Sequence, residues 1–127
     1  MAALRAEVHR LAVELLQVRA ELTQWKIATI SAHVQDARTE RQRLVSERQL
    51  MEREIGELSQ NSITPGGSND ERREELKNVH LPAILTSERA ASDREASLAT
   101  MLGEQTERMN KIQKQVQRLT AGAPGSK

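Results

Sequence analysis

Apolar residues recur along this chain at alternating spacings of four and three. Leu4, Val8, Leu11, Leu15, Val18, Leu22 and Trp25 form the first such track. After a one-step slip near Trp25–Ile30 the stepping resumes through Ile30, Val34, Ala37, Arg41, Leu44, Arg48, Met51, Ile55 and Leu58. A second array runs Leu76, Val79, Ala83, Thr86, Ala90, Asp93, slips near Asp93–Leu98, and continues through Leu98, Leu102, Gln105, Met109, Ile112, Val116 and Leu119. Spacings of this kind keep one stripe of a helix facing a partner helix, the a/d pattern of coiled coils. They predict two long helices, about residues 2–60 and 70–121, each roughly 80–90 Å long.

Between the arrays lies Asn61-Ser62-Ile63-Thr64-Pro65-Gly66-Gly67-Ser68-Asn69, whose Pro-Gly-Gly predicts a loop over 61–69. Asp70, Glu71, Glu74 and Glu75 follow where a helix N-terminus favours negative charge. Ala121-Gly122-Ala123-Pro124-Gly125 ends the second helix and predicts a flexible tail over 122–127. Pro82 conflicts with the helical pattern: it lacks an N–H and crowds the carbonyl four residues back. A kink is expected there.

A hairpin folded about residue 65 pairs positions whose numbers sum to about 130. That register sets Arg41 opposite Ala90 and Arg48 opposite Ala83, each Arg stem lying over a small residue. A parallel homodimer through the same track would face Arg41 with Arg41 and Arg48 with Arg48. The expected fold is therefore all-α, a long antiparallel two-helix coiled-coil hairpin packing with further helices from a partner or a second copy. The reason for further helices is a surplus of apolar residues off the seam. Val13, Leu16, Ala20 and Ile27 form a second stripe, and Val45, Leu50, Leu81, Ile84 and Leu85 form a cluster under the same pairing. A stripe wider than a/d points to burial against another chain, so these residues are the expected partner-binding set.

Composition narrows the chemistry. The 127 residues hold one aromatic, Trp25, and no Cys, which excludes disulfide and thiol chemistry. Charge is balanced, 19 Lys+Arg against 18 Asp+Glu, so nothing pulls the whole chain toward nucleic acid. No apolar run approaches a membrane span, and the N-terminal residues do not read as a signal peptide. The three histidines, His9, His33 and His80, are dispersed and show no metal-ligand or catalytic spacing. No cofactor and no catalytic residue is expected. Thr64-Pro65 is a minimal site for proline-directed phosphorylation. Arg108, Lys111, Lys114 and Arg118 form a basic run that complements the helix dipole and could also contact an acidic surface.

These features predict a non-enzymatic coiled-coil scaffold or adaptor subunit. Its partners would be other coiled-coil or helical proteins, or itself as a homo-oligomer. Cytoskeletal, kinetochore-like, tethering and stalk assemblies use such parts, in a cytoplasmic or nuclear setting. The alternative is a helical arm contacting nucleic acid through the basic run, which balanced charge and missing aromatics disfavour.

Overall fold

The computed structural model describes residues 2–61 and 68–121, and every one of them is helical. Helix α1 spans Ala2–Asn61; α2 (Ser68–Glu75), a π-helical turn (Leu76–His80) and α3 (Leu81–Ala121) follow one another without a break as the second arm. The arms pack extensively as an antiparallel helical hairpin. Of the expected loop over 61–69, residues 62–67, with Thr64-Pro65 among them, lie outside the described residues, as does the expected tail at 122–127, whereas Asn61, Ser68 and Asn69 belong to the helices.

Contacts divide the hairpin into two units, one of residues 34–61 with 68–97, the other of residues 2–33 with 98–121. In the first, Val34, Ala37, Leu44, Leu76 and Ala91 are buried. Its arm-to-arm contacts include several ion pairs. Arg38 and Arg41 both reach Glu95 (3.1 and 2.7 Å), Arg48 reaches Glu88 (2.8 Å), and Glu54 receives Arg72 (3.4 Å). Numbers rise along α1 as they fall along the second arm, so the arms are antiparallel.

These pairs change the expected partners of the seam arginines. The four sums, 133, 136, 136 and 126, scatter about the expected 130, as long side chains reaching along the seam allow. The seam arginines meet carboxylates rather than Ala90 and Ala83, both of which are exposed. An Arg over Ala gains only stem packing, whereas an Arg on Glu gains a charge-assisted hydrogen bond at a half-buried position.

The seam itself is also corrected, twice. In the second arm the inward residues are Leu81, Ile84, Glu88, Ala91, Glu95, Leu98, Leu102, Gln105, Met109, Ile112, Val116 and Leu119, stepping three and four with no slip. Val79, Ala83, Thr86, Ala90 and Asp93 are exposed. The slip belongs to the π-helical turn, where the Leu81 N–H donates to the carbonyl of Leu76, five residues back. Pro82 explains its place: with no N–H to give Asn78 and a ring that crowds that carbonyl, an α-helical turn is disfavoured just there. The extra residue rotates everything after it by about one helical step.

In α1 the inward residues are His9, Val13, Leu16, Ala20, Thr23, Ile27, Ile30, Val34, Ala37, Arg41, Leu44, Arg48, Met51, Ile55 and Leu58, again stepping four and three throughout. The expected slip near Trp25 is absent. The track from Leu4 to Trp25 is on the outside.

Glu95 offers a test of the register. Its carboxyl is held below its ordinary value of 4.5, first by the hydrogen bond from Arg41 and then by that from Arg38. The folded state therefore binds fewer protons than the unfolded state, and the stabilisation, complete above the ordinary value, is lost as pH falls through the lowered one. Glu95→Gln is expected to lower the melting temperature at neutral pH and to flatten its decline below pH 4.5. An unchanged acid profile, followed by circular dichroism, would mean Glu95 does not bridge the arms.

Candidate protein-docking face

The unit formed by residues 2–33 and 98–121 presents two faces of α1. The inner one is modest: Val13, Leu16, Ala20 and Ile27 are half-buried, and Thr23 and Ile112 are buried. The outer one carries the more apolar residues. Leu4, Val8, Leu11, Leu15, Val18, Leu22 and Trp25 are 51–67 % exposed. Seven residues at four-three spacing over 22 positions make a stripe about 33 Å long, three heptads. Isolated exposed apolar residues are ordinary, but a contiguous helical stripe of this length is a mark of association.

Taking Val8, Leu15 and Leu22 as a positions and Leu4, Leu11, Val18 and Trp25 as d positions, the flanks separate by charge. The g positions are Glu7, Glu14 and Glu21; the e positions are Arg5, Ala12, Arg19 and Lys26. The inner residues fall at b and f, across the helix from the outer stripe. On the acidic flank Arg10, at a c position, pairs with Glu7 and with Glu14 (2.9 Å), and Glu7 raises its pKa first of all. On the basic flank a groove of about 380 Å³ is lined by Arg19, Leu22, Thr23, Lys26, Arg108, Lys111, Ile112 and Gln115. It holds four cations and no carboxylate, and none of the four is in an ion pair with a described residue. A second groove at the end of the stripe, lined by Leu4, Arg5, Val8, His9, Ala12 and Leu119, continues the apolar surface onto α3.

The expected partner-binding residues fall differently. Val13, Leu16 and Ile27 are part of the inner face, as are Leu81 and Ile84 in the other unit; Val45 is half-buried. Their burial comes from the hairpin's own second arm. Leu50 and Leu85 are exposed, without an apolar stripe around them. Of the basic run, Arg108 and Lys111 line the cationic groove, and Lys114 and Arg118 are exposed outside it. The outer stripe is visible in the sequence, but its greater hydrophobicity points to the internal seam. The unbroken four-three stepping traced backward from Ile30 through Ile27, Thr23, Ala20, Leu16 and Val13 was the signal for the correct one.

Among the described residues no group of His, Asp or Glu is placed to hold a metal ion, and no helix is long and apolar enough to cross a membrane. His80 Nε2 lies 3.2 Å from Glu75 Oε1 at the π-helical turn. No protein-family model matches this chain, and no curated protein or solved structure matches it at a significant level.

Proposed function

We propose that this chain is a non-enzymatic coiled-coil adaptor that docks a partner helix along the outer face of α1 between Leu4 and Trp25. The exposed seven-residue heptad stripe is the observation that carries this reading. The thin interior supports it: only seven described residues are buried, too few to enclose a substrate. The occupant is a helix with a heptad stripe of its own. The scaffold contributes a preformed helix, so binding does not have to order it.

Leu11→Asp with Leu15→Asp tests the reading. Proteins that co-purify with the unaltered chain at moderate salt are expected to be lost from this variant. They are expected to persist on Leu50→Asp with Leu85→Asp, which alters exposed apolar residues elsewhere. Equal recovery on both variants would contradict a docking role for the stripe.

A second reading, an arm contacting nucleic acid, draws on the unpaired cations of the groove. Its signature is binding to RNA that weakens steeply with salt and is indifferent to the Leu11/Leu15 changes.

A further inference from the structure

Resting on the docking reading, we infer that the helix received by the outer face of α1 is the same face of a second copy of this chain, parallel and in register. Charge decides both the partner and its direction. In a parallel coiled coil each g residue lies beside the e residue of the next heptad on the other helix. Glu14 of one copy then meets Arg19 of the other, and Glu21 meets Lys26; symmetry makes each pair twice. Glu7 meets the neutral Ala12. In an antiparallel pair g faces g and e faces e. Glu7, Glu14 and Glu21 would then confront carboxylates, and Arg5, Arg19 and Lys26 would confront cations. A stripe with only acids on one flank and only basic or neutral residues on the other is complementary to itself in the parallel arrangement alone.

The cationic groove fits this occupant. Arg19 and Lys26 share it with Arg108 and Lys111, and no carboxylate lines it. The second copy's Glu14 and Glu21 arrive along that flank, supplying the missing negative charge. Among the described residues Glu21 is in no ion pair, and Glu14 is held by the exposed contact with Arg10, a weak surface pair that can be exchanged. The inner b and f residues stay on α3, so pairing of the outer faces leaves the hairpin intact and gives a four-helix assembly.

The test is sedimentation equilibrium on the full chain. The unaltered chain is expected to sediment at twice 14.2 kDa at micromolar concentration. Glu14→Lys with Glu21→Lys makes the four e and g charges at positions 14, 19, 21 and 26 positive, and Arg19→Glu with Lys26→Glu makes all four negative. Each variant alone is expected to sediment at 14.2 kDa, and an equimolar mixture of the two to return to the doubled mass. Direction is read with Leu22→Cys in this otherwise Cys-free chain. Oxidation gives a disulfide-linked dimer only if Leu22 lies beside its counterpart, since antiparallel pairing about the middle of the stripe separates the two by about 20 Å.

An unaltered chain that stays at 14.2 kDa overturns self-pairing. So does association that neither swap weakens, or a swapped mixture that remains monomeric, or a Leu22→Cys dimer that does not cross-link. If the chain is monomeric yet Leu11→Asp with Leu15→Asp still strips a different helical protein from it, the docking face stands and only the second copy falls. If neither association responds to the stripe, both readings fall.

Discussion

Leu76→Ala is expected to lower the stability of the unit formed by residues 34–61 and 68–97 by about 2–5 kcal/mol. Leu76 is 1 % exposed and is the largest fully buried side chain among the described residues. It also opens the π-helical turn, with its carbonyl accepting the N–H of Leu81. The substitution leaves that backbone bond in place and removes only the side chain, so the effect measures packing at the point where the second arm changes phase. The turn is already a compromise forced by Pro82. Small domains have about 5–15 kcal/mol in total, so the loss is a large fraction. Urea unfolding followed by circular dichroism reads it. A change below about 0.5 kcal/mol would mean that Leu76 is not a core residue and that the arm is phased differently.

The two faces of α1 should respond in opposite ways to the same chemistry. Leu16→Asp with Ile27→Asp replaces two half-buried apolar side chains between the arms with carboxylates. Partly desolvating two charges and losing that apolar contact is destabilising, and the helical signal of the 2–33 and 98–121 segments is expected to fall. Leu11→Asp with Leu15→Asp adds the same residue type to the same helix on its outer side, with a similar loss of intrinsic helix propensity, below about 0.7 kcal/mol per site. The hairpin is expected to keep its helicity while association is lost. Reversal of these outcomes would exchange the inner and outer faces.

Fold class was legible because heptad spacing, the absence of sheet-forming aromatics and the Pro-Gly-Gly break all agree. The choice of seam in α1 was not. Hydrophobicity ranks Leu4–Trp25 above Val13–Ile27, but burial within one chain depends on phase continuity with the rest of the helix, and the weaker track has it. Thr23 shows the consequence: a polar residue lies buried while Trp25 faces out. In the second arm the spacing reveals a slip, but the phase change lies at Leu76–His80 and not near Asp93–Leu98. Spacing alone registers that a phase change has occurred somewhere between two good stretches. Pro82 gives the physical reason for its position, and the π-helical turn absorbs a full residue rather than merely bending the helix. With the phase corrected, Glu88 and Glu95 fall on the inward face as the partners of Arg48 and Arg41. The Arg108–Arg118 run suggested a basic surface, whereas Arg19 and Lys26 join Arg108 and Lys111 only through the folded register.

The most direct measurement uses the single tryptophan. Trp25 is 67 % exposed at the end of the outer stripe, and the chain has no Tyr or Phe to obscure its emission. Its fluorescence should be followed from nanomolar to tens of micromolar concentration of the full chain. The band is expected to start at the wavelength of a water-exposed indole and to move to shorter wavelength as the second copy covers the d position, with the same midpoint as the doubling of mass. Emission that stays at the water-exposed position while the chain associates would place the contact elsewhere and contradict docking through this face.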